Sequence, residues 1–323
     1  MSGDQRRAVL VLTNTYDATA DTVLRILAER RVPVVRVDPG ADLYDGASLT
    51  ARYGRSSRRG TLRTSSREID LSNIRSVWMR RPSPYEAPPG ITGHDAKFAG
   101  AQAFWGTGGV LASLTEAQYV NHPWRVRNAE YKPAQLTAAQ LSGFLVPDTV
   151  ITTDPREARE FCADQPTGAV YKPLWDSRYR DPAGAARQVW VREVGPQDIT
   201  DAVAACPHLF QAKVPKAFDV RLTVVGERQF AARIDGPELD WRRRQDLLAY
   251  EPVAVPASVT AAVTSYLTTL DLVFGAFDFA VTESGEWYFL ECNPNGQWAW
   301  LPPVLSGPIA LALADRLQRG PDA

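Results

Sequence analysis

Hydrophobic positions along this chain switch between two periods. From Ala8 to Thr13 they run almost unbroken, as in a strand buried on both faces. From Asp17 to Arg30 they recur at helical spacing through Val23, Leu24, Ile26 and Leu27. Pro33 to Val37 is again strand-like and closes on Asp38-Pro39-Gly40. Strand, helix and strand within about thirty residues predict a βαβ unit on a mostly parallel sheet. Leu49 to Leu62 reads as a hairpin whose tip carries Arg52, Arg55, Arg58 and Arg59. That tip is either simply solvated or steers an acidic substrate. Ser76 to Arg81 (SVWMRR) is a strand stopped by Pro82, and its last two arginines point to opposite faces. Gly93 to Leu114 predicts a long helix weakened by Gly106, Gly108 and Gly109. A turn at Asn121-His122-Pro123 leads into a helix through Leu141, ended by Gly143 and Pro147.

The second half keeps alternating. Ala169 to Leu174 (AVYKPL) is a strand with one lysine, Lys172, among apolar neighbours. Lysines are seldom buried without a partner, and a phosphate opposite would explain this one. Leu209 to Val225 joins two strands through a polar turn, with Arg221 facing away from Leu222 and Val224. Arg233 follows on the next strand, either as a phosphate ligand or in a surface ion pair. Val259 to Leu270 is an amphipathic helix, and Ile309 to Leu317 a closing helix beyond Pro302-Pro303. The most informative stretch is Phe274 to Leu301. Phe277, Phe279 and Val281 alternate with Asp278, Ala280 and Thr282; Glu283 to Glu286 turns; Trp287 to Cys292 is a second apolar run. Alternation sets Glu291 and Asn293 on one side, and a hairpin brings Asp278 beside them. Two carboxylates and an amide among aromatics are costly to bury. Arginines and lysines offset that cost in an ordinary buried hairpin. A hard cation does so too, since Mg²⁺ takes oxygen ligands and binds through one or two carboxylates plus substrate phosphates.

Composition narrows the field. A chain of 323 residues fits two or three lobes, and 45% hydrophobic with 23% charged residues is ordinary for a globular protein. A net charge of −1 points to neither nucleic acid nor a strongly charged partner. No apolar run approaches membrane-spanning length, and the N-terminus lacks a signal-cleavage pattern. Cys162, Cys206 and Cys292 are odd in number and lack metal spacing, which suits a reducing cytoplasm. His94, His122 and His208 are too scattered for a zinc site. Neither a nucleophile elbow nor a Walker or Gly-x-Gly-x-x-Gly phosphate loop is present.

Asp278, followed after a hairpin by FLECNPNGQW, resembles the metal-binding end of ATP-grasp ligases. The longer run through Asn295-Gly296-Gln297-Trp298 is similar to one branch, the ligases that cross-link ribosomally made peptides of the microviridin (graspetide) type. The specific likeness spans Asn121 to the C-terminus, and the N-terminal part is looser. It implies an ATP-grasp fold preceded by an α/β pre-ATP-grasp domain with a mostly parallel sheet. It would divide the chain into 1–118, a central lobe 119–210 and a C-terminal lobe 211–323. ATP and Mg²⁺ are implied, with Asp278, Glu291 and Asn293 as metal ligands. Lys132 at a helix start and Lys172 would reach the phosphates; the alternative for Lys132 is an exposed helix lysine. Gln211, Lys213 and Val214 match the segment that seats adenine, although Gln211 stands where many relatives have Glu. Asp219 is the candidate for ribose. Arg221 and Arg233 are candidates, with Lys172, for stabilising the transferring phosphoryl group. The WDSRYRDPAGAARQVW stretch takes the place of a loop covering the phosphates, without the Gly-Ser-rich form of some members. Related ligases carry a Trp-x-Arg-Arg-Pro element where Arg80 and Arg81 lie, and an Asp-Trp-Arg element at Asp240 to Arg242. Arg80, Arg81 and Arg242 are thus candidates for holding an acidic substrate.

The implied reaction phosphorylates an Asp or Glu side chain of a ribosomal precursor peptide. A Ser or Thr hydroxyl, or a Lys amine, then attacks the acyl phosphate. The precursor would bring a leader, docking on the central lobe, and a core rich in acidic and hydroxyl residues. Two other readings remain open: an amino-acid ligase adding glutamate-like residues to a carboxylate, and a non-catalytic peptide- or nucleotide-binding module. A homodimer is implied by the family alone.

Overall fold

The computed structural model describes residues 7–55, 58–175, 179–180 and 184–321. The first lobe runs β1 (Ala8–Leu12), α1 (Ala18–Glu29), β2 (Val34–Val37), β3 (Ser48–Tyr53), β4 (Arg58–Arg63), β5 (Glu68–Asp70) and β6 (Ile74–Met79). Helix α2 (Gly93–Ala103) then continues through a π turn at Phe104–Gly108 into α3 (Gly109–Leu111), before β7 (Gln118–Val120). Strands β2-β1-β6-β7 form a parallel sheet, and β3-β4-β5 a small antiparallel one. Asp17 caps α1 by accepting from the Ala20 amide. The continuous apolar run of β1 is explained by two covers. Val9 and Val11 pack with Val23 and Leu27 of α1, while Leu10 and Leu12 face Leu62, Leu71 and Leu111 on the other side.

The central lobe holds α4 (Pro123–Ala129), α5 (Lys132–Leu141), β8 (Thr149–Thr152), α6 (Pro155–Asp164), β9 (Ala169–Lys172), the short hairpin β10 (Tyr179–Arg180) and β11 (Ala186–Arg187), β12 (Arg192–Val194) and β13 (His208–Ala212). Its sheet is β12-β9-β13-β8, all antiparallel. The single helix expected up to Leu141 is two. Pro133 has no amide proton for the Ala129 carbonyl, so the chain breaks at Glu130-Tyr131 and restarts at Lys132. The orphaned Ala129 carbonyl instead accepts from Gln135 Nε2 at 2.7 Å.

The last lobe has β14 (Lys216–Val225), β15 (Arg228–Asp235), a 3₁₀ turn at Trp241–Leu247, β16 (Ala249–Pro252), α7 (Ala257–Thr269), β17 (Phe274–Thr282), β18 (Trp287–Asn293) and α8 (Pro303–Arg319). The sheet order is β16-β15-β14-β17-β18, antiparallel throughout. One face packs Phe277, Phe279 and Phe289 against Tyr266 of α7 and Phe144 just beyond α5. Each such ring contributes about 2–3 kcal/mol by leaving water. The closing helix begins earlier than expected, since Pro303 is tolerated in a first helical turn. It returns to the first lobe: Ile309, Leu313 and Leu317 share one core with Val9, Val11 and Trp78.

Candidate active site

A cleft of about 340 Å³ opens between the central and C-terminal sheets, and most of the candidate residues meet there. The decisive local feature is a bulge in β18. Phe279 pairs with Phe289, yet Asp278 pairs with Glu291, so Leu290 is an extra residue. Were Leu290 paired in regular alternation instead of bulged, Glu291 would share the core face with Trp287 and Phe289. The bulge turns it to the cleft face, opposite Asp278, and Asn293 follows on the same side. Simple alternation along the sequence groups Asn293 with Glu291 but gives no sign of this shift.

Four basic side chains surround the two carboxylates. Lys132 Nζ lies 2.6 Å from Glu291 Oε2, and Arg242 Nη1 3.7 Å from Oε1. Arg221 Nη1 donates to both Asp278 oxygens at 2.9 Å. Lys172 Nζ donates to Gln211 Oε1 at 2.7 Å within the same cleft. Burial opposes ionisation of Glu291, but Lys132, Arg242 and Lys172 outweigh it and hold its carboxyl well below the usual range. Asp278 goes the other way: burial, aided by neighbouring Glu291, raises its pKa against Arg221. Lys172 is lowered to about 8, first by burial and then by Lys132 and Arg242, with Glu291 opposing. Its ammonium is thus held chiefly out of water, a setting that an anionic ligand would offset.

The expected adenine segment lines the cleft at Gln211, Lys213 and Val214. Val170, Leu174, Val189 and Leu290 add apolar walls. Gln211 is buried and engaged at both ends: its Oε1 accepts from Lys172 and its Nε2 donates to Thr149 Oγ1 at 2.9 Å. A glutamine here positions the lysine. Lys213 turns to Glu193 at 2.5 Å. Asp219 lies at the cleft wall beside Lys216, its pKa raised to about 6 by burial. Arg242 is gripped by Asp240, whose oxygens accept from Nε at 2.8 Å and Nη2 at 2.9 Å, which leaves Nη1 directed at Glu291.

Four predicted residues do not line the cleft. Arg221 sits behind Asp278, buried, with Nη2 on the Gln297 carbonyl at 3.1 Å. Arg233 pairs across β14 with Val220, whose side chain belongs to the aromatic core face, so it points away from Arg221 and Asp219. It stacks over Phe218 at 4.0 Å and pairs with Asp235 at 2.8 Å. Arg81 is exposed, and Arg80 is buried between the first lobe and the loop after β18. Sequence reasoning passed over Gln135, whose Oε1 accepts the Cys292 amide at 3.0 Å and pins the strand next to Glu291. The only available signal was Pro133 two residues ahead of it. Among the described residues no three of His, Cys, Asp and Glu gather into a ready-made metal cage. The donors present are two carboxylates and an amide oxygen, all hard, beside cations suited to phosphate. That set fits Mg²⁺ bound jointly with a nucleotide rather than alone.

Three antiparallel-and-parallel α/β lobes with this inter-sheet cleft define the ATP-grasp ligase fold, with a pre-ATP-grasp domain in front. Residues 8–127 match the family described as the MvdD pre-ATP grasp domain. Over nearly its whole length the chain resembles ATP-grasp macrocyclases of ribosomal peptides. The macrocyclase MdnC of Microcystis aeruginosa MRC, crystallised with precursor peptide MdnA, superposes with a TM-score of 0.84 at 24% identity, covering 97% of this chain and 100% of that one. A RiPP-associated ATP-grasp ligase from Chryseobacterium gregarium, solved with ADP and a leader and core peptide, gives 0.87 at 25% identity, with 96% of each chain covered. Macrocyclase MdnB of the same Microcystis strain gives 0.80 at 28% identity, covering 96% of this chain and 99% of that chain. A comparison with curated protein sequences gives no match. No helix among the described residues is long and apolar enough to cross a membrane.

Proposed function

We propose that this protein is an ATP-dependent peptide ligase that activates Asp or Glu side chains of a ribosomal precursor peptide and joins them to Ser or Thr hydroxyls, giving ω-ester links, or to Lys amines. The observation that carries the reading is the cleft itself: Asp278 and Glu291 opposed across a bulged strand pair, ringed by Lys132, Lys172, Arg221 and Arg242. Asp278, Glu291 and Asn293 would hold Mg²⁺, which supplies charge neutralisation to the phosphates when bound.

The chain's own residues have separable tasks. Lys132 and Lys172 release Glu291 and Gln211 and turn to phosphate oxygens as point charges. Gln211 keeps Lys172 aimed, and Asp219 offers an acceptor to a ribose hydroxyl. Arg221 orients Asp278 from behind. Arg242, held by Asp240, presents a planar fork to the carboxylate being activated. In the balanced reaction a carboxylate oxygen attacks the terminal phosphorus and ADP leaves. The hydroxyl or amine then attacks the acyl carbon, and phosphate departs carrying that carboxylate oxygen. The acceptor loses its proton to solvent.

The experiment is direct. Purified protein, ATP, Mg²⁺ and a precursor peptide encoded beside it should yield products lighter by about 18 Da per link, the mass of one water lost on condensation. A mass gain would favour an amino-acid ligase. ATP turnover with no change in any acidic, Thr-rich peptide would count against the proposal.

A further inference from the structure

The Trp78-Met79-Arg80-Arg81-Pro82 element has no place in the cleft, and its first arginine is among the most buried charges in the protein. Arg80 is 2% exposed at the carboxyl end of β6. In open α/β sheets the crevice beyond the strand ends, where strand order reverses, usually takes a ligand. In the order β2-β1-β6-β7 that reversal lies beside β1 and β6. Here Arg80 reaches out of it to the enzyme's own loop following β18. Its Nη1 donates to the Asn295 carbonyl at 2.6 Å and to Asn295 Oδ1 at 3.2 Å, and Asn295 Nδ2 donates back to the Arg80 carbonyl. Its Nε faces Asp17 at 3.4 Å, which balances its charge.

The contact does not stop at Asn295. The Asn295 amide donates to Asn293 Oδ1 at 3.0 Å, and Asn293 is the outermost of the three proposed metal ligands. The same loop is held at its neighbours. Asn121 Nδ2 donates to the Pro294 and Phe274 carbonyls, both at 2.7 Å, while its oxygen accepts from the Val273 and Phe274 amides. A Cβ on Gly296 would stand 2.5 Å from Ala276 Cβ and 2.8 Å from Arg221 Nη2, so the loop has no slack there.

We propose that Arg80 and Asn295 form a positioning relay through which the first lobe orients the Asn293 side-chain oxygen toward the divalent cation. This rests on the reading of Asn293 as a metal ligand. Arg80 does not line the cleft; it acts through Asn295. A lysine cannot span two acceptors and an acid with one ammonium, so Arg80→Lys keeps the charge and loses the geometry. Removing an outer-shell partner of a metal ligand typically weakens metal affinity about 10- to 100-fold.

The test uses the full chain, with Mn²⁺ as a spectroscopic probe in the presence of saturating ADP, read by electron paramagnetic resonance. Arg80→Lys is expected to raise the Mn²⁺ dissociation constant about tenfold or more while ADP binding without metal is unchanged. The control is Arg75→Lys on the same strand. Arg75 is also buried and also bridges to the far end of the chain, through the Gln318 carbonyl at 2.8 Å, but away from the loop. It is expected to lower the melting temperature and leave the Mn²⁺ affinity alone. If Arg80→Lys does not fold, Asn295→Ala removes the relay's side-chain legs and should weaken Mn²⁺ in the same sense. Parent-like Mn²⁺ affinity in the folded variant overturns the relay. Failure of the parent chain to bind Mn²⁺ with ADP overturns instead the metal assignment, and the relay with it.

Discussion

Lys172 shows how a single residue carries both cost and purpose. Burial, with Lys132 and Arg242 adding to it and Glu291 opposing, takes its pKa from 10.5 to about 8. The sign follows: between pH 8 and 10.5 the unfolded chain binds the proton more tightly, so this lysine destabilises the fold fully below pH 8 and ceases to do so above 10.5. The penalty at neutral pH is a few kcal/mol at most, of order 1.4 per pKa unit. Lys172→Met should therefore raise the melting temperature of the nucleotide-free protein at pH 7, by a margin that shrinks toward pH 10. It should also abolish the thermal shift caused by ATP with Mg²⁺. A destabilised variant that still binds ATP would contradict this role. At Glu291 we expect Glu291→Ala to keep the fold, by circular dichroism, and to lose at least about a hundredfold in product formation, as befits a residue needed for charge neutralisation. Near-normal product would remove the metal assignment. The charged members of the site were legible because a charge inside an apolar strand asks for an explanation. Gln211 was legible only as a position, since what a carboxamide does depends on which neighbour it meets across the sheet. Arg80 was a candidate for holding an acidic substrate through the resemblance of its Trp-x-Arg-Arg-Pro element, and its contact with the loop after β18 was not legible because sequence does not say which face another lobe will cover.

At the scale of the element, β18 matters most. Its alternation is correct up to Phe289 and wrong beyond it, and the bulge that absorbs Leu290 keeps Glu291 opposite Asp278. Deleting Leu290 removes the bulge but not the facing: Glu291 then follows Phe289 directly and stays opposite Asp278, with Cys292 still opposite Phe277. The deletion, like Leu290→Ala, should therefore keep the thermal shift caused by ATP with Mg²⁺. A deletion variant that folds by circular dichroism but no longer binds nucleotide would contradict the account of the bulge. The strands and α1 were readable because hydrophobic period is a local signal. The break between α4 and α5 was not read, although Pro133 announced it, because the apolar spacing runs on through it. The early start of α8 was missed for the opposite reason: Pro303 reads as a breaker but serves as a first-turn residue.

At the scale of the whole molecule the lobes are less separable than a linear reading suggests. The sequence places a boundary near residue 118, yet α8, from the other end of the chain, covers one face of the first sheet with Ile309, Leu313 and Leu317. No local pattern reveals a contact between residues that far apart. A fragment ending at 118 should therefore uncover Trp78 of β6 and the side of α1 that α8 packs on, and fail to give a cooperative melting transition, whereas adding α8 in trans or by fusion should restore one. A cooperative transition from the fragment alone would show that the shared core is dispensable. The same sharing explains how an arginine of the first lobe comes to brace a loop of the last.

The central claim is that this cleft transfers a phosphoryl group from ATP to a peptide carboxylate. It is tested most directly by labelling the Asp and Glu side chains of the precursor with heavy oxygen and following the label into inorganic phosphate. The account predicts one labelled oxygen in phosphate for each link formed in the peptide. Phosphate that draws its new oxygen from water, with the peptide's label intact, would contradict it.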